Sequence, residues 1–122
     1  MNERSIVNLN ETERQAIADF IERLNDRFPE EVLEVTLFGS KARGDSSPWS
    51  DIDILIKVKE ESWSLRGEIS IVAADISLEY DVLIGPRVIG LERWDRMKRD
   101  GFSLYHNIIA EGIPLAPATM SS

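Results

Sequence analysis

The chain has 122 residues, 43% hydrophobic and 30% charged, which suits one compact globular domain and is too short for two. It contains no cysteine, which excludes a disulfide framework and a thiolate metal site, and no stretch approaches the roughly 20 apolar residues that span a bilayer. A net charge of −8 and a pI near 4.6 work against a nonspecific grip on nucleic acid, so neither DNA nor a membrane is an expected partner.

Met1 to Asn10 lacks the basic-then-apolar pattern of a secretory signal, so a cytoplasmic protein is expected. Asn10 and Glu13 have capping-box spacing, and Ile17, Phe20, Ile21, Leu24 and Phe28 recur at helical spacing. A helix over 11–27 follows, ended by Pro29. Val32 to Phe38 reads as a strand that stops at Gly39. Gly44 to Ser50 is a loop by composition, and Asp51 to Val58 is the strongest strand in the chain. Leu65, Ile69, Val72 and Ile76 mark a second helix, opened by Trp63 as a packing residue and weakened by Gly67. Tyr80 to Ile84 is predicted as a short strand closed by Gly85-Pro86. Helices over 91–99 and 102–110 then end at Gly101 and Gly112. The domain is expected to occupy 1–115, with 116–122 a disordered tail. This order predicts an α/β (α+β) fold: a small mixed sheet with helices packed on one face and the other face free.

The chemistry concentrates in two short segments. In Ser50-Asp51-Ile52-Asp53-Ile54-Leu55-Ile56 the isoleucines alternate with the acids, so the apolar set faces the helices and both carboxylates share the other face. Two adjacent anions are costly without a cation, and oxygen-only ligands favour Mg²⁺ or Mn²⁺. If Tyr80 to Ile84 pairs beside this strand, Asp81 joins the same face. Three carboxylates then hold two ions, an arrangement suited to phosphoryl-type transfer. Upstream, Gly39 permits close backbone approach to a phosphate, and Ser40 with the free amides of a helix start can bind its oxygens. Lys41 and Arg43 can each clamp a phosphate or pair with a carboxylate. The basic run Arg87, Arg93, Arg96, Lys98, Arg99 reads as solvated helix surface, with a patch facing polyphosphate or a partner as the alternative. His106, the only histidine, has no second ligand or base near it in sequence. Trp49, on the loop before Ser50, is a loop anchor or a base-stacking residue.

Gly39-Ser-Lys-Ala-Arg-Gly44 followed by Ser50-Asp-Ile-Asp-Ile54 resembles the signature of the DNA polymerase β-like nucleotidyltransferase superfamily. The short length and Ala-Arg-Gly resemble its minimal nucleotidyltransferase branch, the MntA-type antitoxins. The resemblance runs from about Glu34 to Ile84 and more loosely to Leu115. It implies a nucleoside triphosphate substrate, ATP, with two Mg²⁺ (or Mn²⁺) ions. Gly39 and Ser40 would bind triphosphate, with Lys41, Arg43 and Ser50 nearby, and Asp51, Asp53 and Asp81 would serve as catalytic metal ligands. Lys41 stands where the family usually has arginine. The resemblance further implies a HEPN-domain toxin partner from a neighbouring gene, AMP transfer to one of its tyrosines in a type VII toxin–antitoxin pair, and a homo- or hetero-oligomer. Transfer to a small molecule such as an aminoglycoside, and a noncatalytic antitoxin acting by occlusion, are the alternatives. The helix pair carrying Trp94, Phe102, Tyr105 and Ile109 offers either a docking face or core packing.

Overall fold

The computed structural model describes residues 9–45, 47 and 50–117; Trp49 and the segments before Leu9 and after Pro117 lie outside the described residues. The first helix, α1 (Glu11–Arg27), begins at the expected capping box. The Glu13 amide donates to the Asn10 carboxamide oxygen at 2.8 Å, and the Asn10 amide donates to Glu13 Oε1 at 2.9 Å. Its apolar stripe, Ala16, Ile17, Phe20, Ile21 and Leu24, is buried. Burying each of the larger of these side chains contributes about 1.5–3 kcal/mol.

β1 (Val32–Phe38) leads through Gly39 into a one-turn helix, α2 (Ser40–Arg43), and β2 (Ile52–Val58) returns antiparallel to β1. The second long helix, α3 (Trp63–Tyr80), crosses over to β3 (Ile84–Gly90), which lies parallel to β2. Two short helices, α4 (Leu91–Asp100) and α5 (Ser103–Glu111), follow, and β4 (Ile113–Pro117) pairs antiparallel with β1. The resulting mixed sheet has the order β3-β2-β1-β4.

Ile52, Ile54, Ile56 and Val58 face α1 and α3 in the main core, as the alternation requires. The opposite face is not free along its length. Leu55 and Ile89 are apolar there too, and Trp94, Met97 and Ile108 of α4 and α5 cover them in a second, smaller core. Trp94 packs on Tyr105 with ring centroids 4.9 Å apart and lies under the Lys57 ammonium, 4.6 Å away. Trp94 and Tyr105 are therefore packing residues, while Phe102 and Ile109 are exposed. Of that face, the N-terminal end of β2 keeps Asp51 exposed and Asp53 half-buried.

Two strand predictions change. Tyr80 belongs to α3, its hydroxyl donating to Asp19 of α1 at 2.9 Å, and Asp81 ends the helix in the left-handed conformation (φ 53°). The strand begins at Ile84 and runs through Gly85-Pro86, the segment expected to stop it. Residues 116 and 117, expected in the disordered tail, instead form the end of β4. One reason covers both. β3 and β4 are the edge strands of the sheet, and an edge strand tolerates a residue without an N–H.

Candidate active site

The β1–β2 register places Phe38 opposite Asp53, so the turn that follows Phe38 rises directly beside the Asp53 carboxylate. A Cβ added to Gly39 would lie 2.3 Å from Asp53 Oδ2. Gly39 also adopts φ 75°, ψ −157°, a backbone region open essentially to glycine alone. The two segments singled out in the sequence are thus in van der Waals contact. Beyond Gly39, the amides of Ala42 and Arg43 donate to the Gly39 carbonyl, both at 3.1 Å, and the Gly44 amide donates to the Ser40 carbonyl at 2.9 Å. Gly39, at the start of this turn, has no side chain with which to cap it.

On the other side of β2, the parallel register sets Gly85 opposite Asp53. A Cβ there would lie 3.6 Å from Asp53 Oδ1 and 3.9 Å from Asp51 Oδ2, so both carboxylates converge over a bare glycine floor. Burial, reinforced by the neighbouring charge of Asp51, raises the Asp53 pKa above the ordinary carboxylate value. The guanidinium groups of Arg87 and Arg43 pull it the other way. Arg87, an exposed residue of β3 two positions beyond Gly85, is therefore an electrostatic neighbour of Asp53. In the sequence it was merged with the basic run that follows. Only the β2–β3 register separates it.

The remaining expected residues are placed as follows. Asp81 caps α3 and lines an open cleft of about 590 Å³ with Ser50, Ile52, Asn10 and Leu83. Among the described residues no third His, Cys, Asp or Glu joins a cluster able to hold a metal, so the expected three-carboxylate set is not formed. The reason is the helix end: with Asp81 in a left-handed cap, the strand face that meets Asp53 carries Gly85 instead. Lys41, considered for phosphate or for a carboxylate, takes the carboxylate. It is buried, with Nζ 2.6 Å from Glu13 Oε2 of α1 and 3.3 Å from the Ser47 carbonyl oxygen. Arg43 pairs with Asp45 at 3.1 Å and Glu111 at 3.3 Å, which raises its pKa and ties α2 to the end of α5. The Ser50 hydroxyl accepts from the Ser47 amide at 2.9 Å, closing the loop before Asp51.

Asp51 and Asp53 are an all-oxygen donor pair whose mutual repulsion and partial burial call for positive charge between them. That suits a hard divalent ion of the Mg²⁺ or Mn²⁺ type, with substrate oxygens and water completing its shell. The site depends on Gly39 remaining without a side chain. Gly39→Ala is expected to cost about 1–3 kcal/mol from backbone strain. It should also displace Asp53 and, on the expectation of a triphosphate ligand, abolish ATP binding. Urea denaturation and calorimetric titration with ATP read the two effects, and unchanged ATP affinity would argue against the contact.

The model of the nucleotidyltransferase domain family matches residues 17–102. Two predicted protein adenylyltransferases of Methanocaldococcus jannaschii are similar in sequence. One is 38% identical over 73 residues, spanning 59% of this chain and 74% of that protein. The other is 32% identical over 100 residues, spanning 82% and 94%. Among solved structures, a toxin–antitoxin crystal structure with AMP-PNP superposes with a TM-score of 0.55 at 21% identity, covering 93% of this chain and 81% of that one. That likeness shows the fold alone.

Proposed function

Because the chain belongs to the nucleotidyltransferase domain family and is a nucleotidyltransferase, we propose that it transfers AMP from ATP to a tyrosine hydroxyl of a HEPN-type toxin, with Mg²⁺ bound at Asp51 and Asp53. The observation that carries this reading is the contact between the Gly39 turn and the Asp53 carboxylate, with Asp51 alongside. The protein-adenylyltransferase relatives and the toxin–antitoxin fold neighbour support the choice of nucleotide and acceptor class.

In this reading the amides of the Gly39-Ser40 turn and the Ser40 hydroxyl hold the β- and γ-phosphates. The acceptor oxygen attacks the α-phosphorus and the bond to the α–β bridging oxygen breaks. Pyrophosphate leaves, and the acceptor's proton is released to solvent. Asp51 and Asp53 would hold the divalent ion, which would supply charge neutralisation of the triphosphate. Arg87 and Arg43 add positive charge beside the acid pair and favour an anionic ligand there. Lys41 acts at one remove, fixing the turn to α1 through Glu13.

The test is incubation with ATP labelled on the α-phosphate, Mg²⁺ and the HEPN-type protein encoded beside the gene. Label on a tyrosine of that protein, abolished by a chelator, is the expected result. Label appearing instead on an added aminoglycoside, or a stable complex without transfer, would replace this reading by one of its rivals.

A further inference from the structure

We infer that the outer face of α3 is a docking surface for a helix of a different polypeptide, one with an apolar stripe edged by lysine or arginine. α3 buries Leu65, Ile69, Val72, Ala73 and Ile76 against the sheet, which is its structural face. A second apolar stripe runs along its other side. Trp63 is 89% exposed, Ile71 58% and Leu78 83%, and Gly67 and Ala74 between them are exposed as well. At about 100° per residue these five positions fall within about 80° of arc and extend along roughly 22 Å of helix. Single exposed apolar residues are ordinary, but a continuous stripe opposite the buried face makes the helix apolar on two sides. A helix of that kind is normally covered on both. Trp63, expected from the sequence to pack, instead projects into solvent at one end with the Arg66 guanidinium 5.9 Å from its ring centroid, where an aromatic residue of this exposure can anchor a partner. A Cβ added at Gly67 meets nothing within 4 Å, so the middle of the stripe admits close backbone approach.

The charges beside the stripe select the occupant. One flank carries Glu68, Asp75 and Glu79, all exposed, of which Glu79 is paired with Arg23 at 2.7 Å. The other flank carries Ser70, Ser77 and the half-buried Arg66, which is paired with Glu61. A second copy packed antiparallel about a two-fold axis would set the acidic flank against itself, with Glu68 meeting Asp75; packed parallel, it would set that flank against Ser70, Ser77 and Arg66, a cation already paired with Glu61. Like charges so placed destabilise a helix pair, and the chain's net charge of −8 adds to the repulsion. A foreign helix with a basic flank meets the same surface with opposite charge and a matching stripe.

This inference rests on the partner reading above and assigns the face on which the partner sits. The test uses the purified chain and the HEPN-type protein, with affinity measured by calorimetry at two salt concentrations. The paired substitution Ile71→Ser with Leu78→Ser, and separately Trp63→Ala, should each weaken binding at least tenfold while leaving the melting temperature nearly unchanged. Glu68→Lys with Asp75→Lys should weaken binding and flatten its salt dependence. If the wild-type complex forms and all variants bind equally, this face is not the docking surface and the partner reading stands. If the wild type forms no complex, the partner reading fails and this inference with it. A dimer of the isolated chain that is broken by the Ile71→Ser, Leu78→Ser pair would assign the face to a second copy and overturn the proposal.

Discussion

Asp53→Asn should reduce nucleotidyl transfer by about 10³-fold or more and at the same time raise the melting temperature of the free protein. The first effect follows from removing one of two carboxylates that would hold the divalent ion. An ion stabilising the transition state contributes several kcal/mol, and each 1.36 kcal/mol is a factor of ten in rate. The second follows from the cost of ionising Asp53 where it sits. Burial and the Asp51 charge raise its pKa, so the folded protein holds that proton more tightly than the unfolded chain does. Stability linked to this group is therefore fully present below the ordinary carboxylate range and is lost as pH rises through the raised folded value. Asparagine keeps the shape and removes the penalty. The stability advantage of the variant should be largest at neutral pH and should shrink as pH falls through the titration range of Asp53. Added Mg²⁺ should raise the melting temperature of the wild type by ligand linkage and leave the variant unmoved. Full turnover in Asp53→Asn, or an equal Mg²⁺ response in both proteins, would sink the assignment of the metal site.

Lys41→Met should be the most destabilising single substitution near the site, by about 3–5 kcal/mol in urea denaturation, because it strands the Glu13 carboxylate in the interior. Both side chains are nearly inaccessible, 4% exposed for Lys41 and 8% for Glu13. Glu13 also accepts the Asn10 amide in the capping box, so the loss reaches the start of α1. The double variant Lys41→Met, Glu13→Gln removes both charges, and glutamine preserves the capping geometry. It should recover most of the lost stability. A cost below about 1 kcal/mol for Lys41→Met would mean that Glu13 is neutralised or solvated when its partner is removed. An arginine at this position would have to fit a larger, planar head group into the same buried space, so Lys41→Arg is not a conservative change here.

Much of this architecture was legible from local pattern. The capping box of Asn10 and Glu13, the α1 stripe, the strand over 32–38 and the glycine that ends α4 all appear where the sequence placed them, and the strand expected over 51–58 begins one residue later, at Ile52. Each is set by neighbours within a few residues: a cap reaches three positions, and a strand's alternation repeats every second residue. The pairing of Gly39 with Asp53 follows from the same logic once β1 and β2 form an antiparallel hairpin-like pair.

The edge strands were not legible. Gly85-Pro86 reads as a terminator in isolation, and it and Pro114 become permissible within strands only because β3 and β4 lie at the two margins of the sheet. That single displacement moved Asp81 to a helix cap and brought Gly85 and Arg87 beside the acid pair. The inward turn of Lys41 was equally invisible, since the residue that claims it lies in α1, in a different element of the chain. So the sequence by itself determined the Gly39 turn, the paired carboxylates and the faces they occupy, because short-range spacing and strand periodicity dictate them. Only the tertiary structure decided what stands opposite those carboxylates, which of the nearby cations remain available, and which helix face is left without a cover. Those depend on register across parallel strands and on packing between segments far apart in the chain.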